Sequence, residues 1–171
     1  YPGEKPVKKM QVRRVNEQTV ALTELNVFCC ELLHQIAPNA RSDDPAAHGR
    51  LFSSPTSGKE PEFEMDWHEY VHPELRQLFT TAIEVVENDL HDFPPREAVE
   101  EEEVTLRIPL SHLEAWVHTL TQARLSLAAR YNFQEEEILR ALPLDGSMRA
   151  IALFQMDFYA FLVECFVREL D

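Results

Sequence analysis

The chain has 171 residues, 44% of them hydrophobic, and carries 30 acidic against 16 basic side chains, which gives a formal charge of −14. This length is enough for one well-filled core and short for two. The negative charge repels nucleic acid and anionic lipid, so we expect the protein to bind neither nucleic acid nor a membrane. Cys29, Cys30 and Cys165 have apolar neighbours and no disulfide spacing, a pattern typical of buried thiols in a cytoplasmic protein.

Residues 1–9 are polar and contain Pro and Gly, so we predict a flexible extension there, followed by a single helical domain over 10–171. No apolar run of signal-peptide length follows the basic residues near the start, so the sequence does not predict export. Segments with β-branched residues at 10–15 and 19–22 predict a hairpin. Apolar residues then recur at helical spacing, and Pro38 ends the first predicted helix.

A long loop rich in Pro and Ser is predicted over 38–66. A connection of this length without secondary structure is uncommon in a compact domain, so it is either partly disordered or a surface loop with a function. The second long helix is predicted to begin at Pro73, because proline is favoured in the first turn of a helix. Its buried stripe consists of apolar residues at helical spacing: Leu75, Phe79, Ala82, Val86, Leu90 and Phe93.

The second half of the chain is predicted to be one strand followed by helices. Alternating apolar residues at 104–108 predict a strand that pairs with the N-terminal hairpin. Ser111 and Glu114 have the spacing of a capping box, which predicts the start of a long helix. A short helix with acidic first residues is predicted over 135–142, and the last helix follows over 147–170.

This last stretch is the most apolar part of the chain, and no Gly or Pro interrupts it. On a helix, Asp157, Glu164 and Arg168 form one narrow polar stripe in an otherwise apolar surface. Three charges inside a membrane span would be costly, so we expect a helix that protein surrounds.

The predicted fold class is mainly α (α+β): a bundle of four to five helices around a central C-terminal helix, with a small antiparallel β-hairpin or three-stranded sheet. A helix that is apolar on all sides is covered by its own chain or by a copy, so a homodimer is also predicted.

One short motif suggests an enzyme. His68, Glu69 and His72 match the His-Glu-x-x-His signature, which in zinc proteases places two imidazoles one helical turn apart with a glutamate general base between them. This chemistry needs a continuous helix, and Pro73 directly follows the second histidine. Because proline disfavours the α conformation in the residue before it, we expect the two rings to lie on different faces. His68 and His72 are therefore only candidate metal ligands, and no metal or other cofactor is predicted.

Two charged residues fall within stripes that should otherwise be buried, Arg124 in the long helix after the predicted strand and Asp157 in the last helix. An unpaired buried charge is expensive, so we predict that Arg124 and Asp157 form a buried ion pair between these helices. The pair is interpreted as structural, and the alternative is a functional site with perturbed charges.

Several segments resemble one bacterial family. They are 115–120 (AWVHTL), which runs into 123–127 (ARLSL), and the terminal 156–158 (MDF) followed by 163–170 (VECFVREL). Together they resemble the family catalogued as domain of unknown function two-zero-one-seven, over most of 12–170. The resemblance implies that Arg124, Asp157 and Glu164 are family positions, and it implies no established activity. It also implies a link to regulated proteolysis, because genes of this family are often found near that of the Clp protease adaptor.

We therefore predict a cytoplasmic protein-interaction or regulatory module, with a protein partner that belongs to the Clp protease system, and not an enzyme. Negative charge, a long loop and the lack of Ser or Cys nucleophile motifs and phosphate-binding glycine loops support this interpretation. The alternative is a zinc-dependent hydrolase that uses His68, Glu69 and His72. A third interpretation, a small-ligand sensor, requires a cavity between the last two long helices.

Overall fold

The N-terminal hairpin and a third strand form an antiparallel sheet. Strand β1 (Gln11–Asn16) pairs with β2 (Thr19–Leu25), and β3 (Val104–Pro109) pairs with β2 on its other side. The middle strand buries Val20 and Leu22 completely, because the side chains of a central strand pack on the core. The sheet that the sequence predicts is confirmed. The computed structural model describes residues 9–41, 56, 58–93, 104–139 and 146–171.

Two short helices follow the hairpin. Helix α1 (Val27–His34) begins after Asn26, whose side-chain oxygen accepts a hydrogen bond of 2.8 Å from the backbone N–H of Cys29. This bond satisfies one of the free N–H groups at the helix start. Helix α2 (Ile36–Ala40) contains Pro38, so the prediction that the helix ends there is wrong. Proline is tolerated in the first turn, where its missing N–H would have no intrahelical partner.

A continuous helical segment follows the described residues of the central loop. It consists of α3 (Pro61–Asp66), a π-helical turn (Trp67–Val71) and α4 (His72–His91). In the π turn the backbone N–H of His72 bonds to the carbonyl of Trp67, five residues earlier. The wider turn fits the proline that follows, because proline cannot donate the usual bond to the residue four positions before it.

Two predicted boundaries change as a result. The loop predicted over 38–66 is shorter, because its first three residues and its last six are helical, while 42–55 and 57 lie outside the described residues. The second long helix does not begin at Pro73 but continues from α3. Its predicted buried stripe is confirmed in the second half, where Ala82, Val86 and Leu90 are buried.

Helix α5 (Leu113–Arg130) is the most enclosed helix. A 3-10 turn (Leu110–His112) leads into it, and it packs against α2, α4 and the C-terminal helix α7 (Met148–Leu170). The short α6 (Glu135–Leu139) lies between α5 and α7 in the chain. Buried residues occupy most of the circumference of α5: Leu113, Trp116, Thr119, Leu120, Gln122, Ala123, Ser126, Leu127, Ala128 and Ala129.

Helix α7 packs along one side only. Its start at Met148 is capped by Ser147, whose Oγ accepts a bond of 3.1 Å from the N–H of Ala150. The mainly α class with a small sheet is confirmed, and in the described part of the chain α7 is covered on one side and exposed on the other. Among the described residues, α7 is the helix long and apolar enough to cross a membrane, and 44% of its most apolar window is buried. Length and composition alone do not distinguish a core helix from a membrane span.

Candidate interaction surfaces and polar sites

The first two thirds of the α3–α4 segment lie outside the packed core. No residue of 61–81, here called the arm, is buried, whereas Ala82 and Ile83 immediately after it are. Large apolar side chains in such a concentration at a protein surface mark interaction sites. Five of them are well exposed on the arm: Phe63 (39%), Met65 (71%), Tyr70 (62%), Val71 (41%) and Leu78 (51%).

The arm is also acidic. It carries five carboxylates and one guanidinium, that of Arg76. Glu62, Asp66 and Glu69 are exposed and follow one another at steps of four and three residues, which places them along one edge of the helix. An open cleft of about 720 Å³ lies at the N-terminal end of the arm, lined by Lys59, Glu60, Pro61, Glu62, Phe63 and Asp66.

A second apolar surface lies along the more exposed side of α7, although one of its members, Phe158, also packs against the core. Its members recur at steps of three and four residues, the spacing of a coiled-coil seam. Ile151 and Phe161 are 36% and 43% exposed, and the others are half-buried. The ring of Phe28 in α1, 44% exposed, lies 5.2 Å from that of Phe154 and widens this surface. We call the following residues the α7 seam: Ile151, Phe154, Phe158, Phe161 and Cys165.

The structure places the histidines of the zinc-like motif closer together than the sequence predicts. His72 has α-helical backbone angles, and its ring centroid lies 5.9 Å from that of His68. The expectation that Pro73 separates the two rings is wrong, because the π turn carries the helix through the proline. Glu64 Oε2 lies 3.9 Å from His68 Nε2. In the described part of the chain, however, no group of three or more His, Cys, Asp or Glu side chains is arranged to hold a metal ion.

The predicted buried pair of Arg124 and Asp157 is wrong. Asp157 is exposed, because it lies about 100° around α7 from the buried Met156 that precedes it. The Nε of Arg124 is buried and has no hydrogen-bond partner in the described part of the chain. Glu164, the third residue that the resemblance singles out, is exposed and pairs with Arg168 one turn later. An exposed pair of this kind contributes little to stability.

A different carboxylate is held in the interior, and sequence reasoning missed it. Asp89 of α4 accepts a bond of 2.8 Å from the indole Nε1 of Trp116, and both of its oxygens lie 3.0 Å from His112 Nδ1. The side chain of Asp89 is 10% exposed. His112 therefore bonds to Asp89, and the predicted capping box of Ser111 and Glu114 is not formed, since the helix begins at Leu113 without a side-chain cap. The only sequence signal was the presence of His112 and Trp116 one turn apart.

A second polar contact joins α7 to the first two helices. The hydroxyl of Tyr159 donates to the carbonyl of Leu32 at 3.0 Å and accepts from Asn39 Nδ2 at 3.3 Å. Burial raises the pKa of this phenol well above its usual range. Beside it, Gln155 Nε2 donates to Gln35 Oε1. These bonds fix α7 against α1 and α2, because a buried polar group is costly unless it is paired.

The cysteines are free thiols, as predicted, but only Cys30 is fully buried, and Cys29 and Cys165 are half-buried. Burial raises the pKa of Cys29 and of Cys165, and it raises the pKa of Cys30 to about 11. A thiol with a raised pKa is a weak nucleophile at neutral pH, because the thiolate is the reactive form. The three residues therefore have the properties of packing groups.

Comparison with known proteins identifies the family. A search of the curated proteins and a search of the solved structures each returned no match. The family model described as "Domain of unknown function (DUF2017)" matches residues 9–170, so the resemblance seen in the sequence is confirmed. This chain is a member of the DUF2017 family.

Proposed function

We propose that this protein is a protein-interaction module that assembles as a homodimer through the α7 seam. The observation that supports the proposal is the apolar outer side of α7, on a helix whose inner side is already packed against α5. Burying such a surface is favourable by about 25 cal/mol per Å² of apolar area. A large exposed apolar surface is therefore expected to be covered in the working protein.

A second copy is the partner we favour for this seam. Steps of three and four residues match a facing helix with the same repeat, and a two-fold interface brings the same surface of each copy together. None of the five seam residues is charged, although Asp157 and Glu164 lie at the edge of the seam. Because each chain carries a formal charge of −14, two copies repel least where a charge-poor surface meets its equivalent.

The regulatory part of the proposal depends on the family. The resemblance implies a link to Clp-dependent regulated proteolysis, and we propose that the dimer binds a component of that system. Affinity capture with the purified protein tests this link. Reproducible recovery of a Clp component supports it, and capture that recovers none in repeated experiments contradicts it.

The zinc-dependent hydrolase stays an alternative, because the rings of His68 and His72 lie close enough to face a shared ion. A catalytic zinc site normally has three protein ligands. Elemental analysis of the purified protein decides between the two functions. Stoichiometric zinc that is lost in His68→Ala would support the hydrolase, and metal-free protein supports the interaction module.

Light scattering on the purified protein tests the homodimer. We expect a mass of twice the 19.8 kDa of one chain for the wild type, and the mass of one chain for Phe161→Asp, because a carboxylate in the seam cannot be buried without a partner. Leu125→Asp is the matched control, since Leu125 is 37% exposed on α5, outside the seam. It should remain dimeric. A wild type with the mass of one chain at high micromolar concentration contradicts the proposal.

A further inference from the structure

The arm is a second surface, and neither the α7 seam nor the family accounts for it. Four of its exposed apolar residues are spaced by seven, one and seven residues, so on a helix they share one face. They are Phe63, Tyr70, Val71 and Leu78. All four are exposed, whereas the partly buried residues Leu75 and Phe79 lie on another side of the helix, and fully buried residues begin only at Ala82.

Acidic residues run beside this apolar face. On a helix, Glu62, Asp66 and Glu69 fall on the side of the face that is nearest to Phe63 and Tyr70. All three are exposed, and none of the ion pairs found among the described residues includes them. The arm thus presents an apolar face about four turns long with a negative edge.

We propose that the arm binds a basic amphipathic helix of a partner protein. Apolar side chains of the partner pack on Phe63, Tyr70, Val71 and Leu78, as in other helix-on-helix recognition. Its Lys and Arg side chains lie against the negative edge, which provides charge complementarity. The open cleft beside Phe63, lined also by Glu62 and Asp66, receives the basic end of that helix.

The same charges disfavour a second copy of the arm as the occupant. Two arms placed together would bring five carboxylates of one chain near five of the other, with only Arg76 of each chain to offset them. Like charges at this density repel. The partner helix is therefore distinct from the copy that covers the α7 seam, and the two surfaces can be tested separately.

Peptide titration tests the proposal. The probes are two synthetic helical peptides with the same leucine face, one with lysine and one with glutamate on its polar face. Binding is followed by the fluorescence of Trp67, which lies on the arm, and Trp67→Phe identifies the contribution of the buried Trp116. We expect the lysine peptide to bind, more weakly as salt is added, and the glutamate peptide not to bind.

Two triple variants separate local charge from total charge. The first variant combines Glu62→Gln, Asp66→Asn and Glu69→Gln. It should bind the lysine peptide about tenfold more weakly, a loss of affinity that corresponds to the loss of three exposed ion pairs. The control variant combines Glu114→Gln, Glu135→Gln and Glu136→Gln. It loses the same number of charges from exposed residues outside the arm and should bind the lysine peptide as the wild type does.

The apolar half of the proposal has its own test. Leu78→Ser should weaken binding, whereas Val15→Ser, at a 52% exposed position on β1, should not. Since no residue of the arm is buried, these variants should keep the helical circular dichroism of the wild type. Equal binding by both triple variants, or cross-links from Tyr70 of one chain to Tyr70 of another, would overturn the proposal.

Discussion

Replacing Asp89 by alanine should destabilise the protein more than any other single change of a polar residue on α4. The substitution removes the acceptor for two donors, Trp116 Nε1 at 2.8 Å and His112 Nδ1 at 3.0 Å. These donors differ in their access to water. The side chain of His112 is 39% exposed and can bond to solvent, whereas Trp116 is fully buried and its N–H has no replacement.

The expected cost follows from this difference. A buried donor without a partner costs about 1–3 kcal/mol, and a hydrogen bond to a charged group contributes about 1.5–3 kcal/mol. We expect Asp89→Ala to lower the free energy of unfolding by about 3 kcal/mol. This is a large fraction of the total free energy of unfolding of a typical domain, which is roughly 5–15 kcal/mol. Asp89→Asn should cost less, because its amide oxygen can still accept from Trp116.

Urea denaturation followed by far-ultraviolet circular dichroism measures these values. Asn88→Ala, at the exposed neighbouring position, is the control and should stay within about 0.5 kcal/mol of the wild type. A double-mutant cycle of Asp89→Ala with Trp116→Phe should show a coupling energy of about 1 kcal/mol or more. If Asp89→Ala is as stable as the wild type, or the two substitutions are additive, the assigned role of Asp89 is wrong.

Two further predictions concern the remaining buried polar groups. Tyr159→Phe removes the hydroxyl that joins Leu32 and Asn39 and should cost about 1–2 kcal/mol in urea denaturation; an unchanged midpoint would contradict this role. Burial raises the pKa of Cys30 to about 11, so above the ordinary thiol pKa the unfolded chain binds fewer protons than the folded chain. The free energy of unfolding should therefore be unaffected by this thiol at neutral pH and fall as the pH rises towards about 11. Cys30→Ala should show a smaller alkaline loss, and an equal loss in both proteins would exclude Cys30 as its cause.

Local patterns were sufficient to predict most elements. The hairpin was predicted from two segments with β-branched residues, the strand at 104–108 from alternating apolar residues, and the final helix from a long apolar stretch without Gly or Pro, and each is present in the structure. The period of a helix also identified Ala82, Val86 and Leu90 as buried. Such patterns are reliable because local backbone geometry alone decides which side chains share a face.

The predictions that were wrong concern how the helices and strands are placed relative to one another. Asp157 and Arg124 belong to neighbouring helices, but the apolar composition of α7 did not reveal which side of it faces α5. Pro73 was interpreted as a helix start, since a single proline does not reveal the π turn that precedes it. The contact of Asp89 with Trp116 joins residues 27 apart in sequence, and no periodic signal records a contact of that kind.

The seam of α7 can be tested at a single side chain. One copy carries fluorine-labelled Phe161, and a second copy, with all of its cysteines kept, carries a nitroxide amino acid in place of Glu164, an exposed residue at the edge of the seam. Mixing the two copies should broaden the fluorine resonance of Phe161, because a nearby unpaired electron on the partner accelerates its relaxation. A fluorine label on Phe63 of the arm should be unaffected. A fluorine resonance of Phe161 that is as sharp in the mixture as in the labelled copy alone would show that no second copy covers the seam.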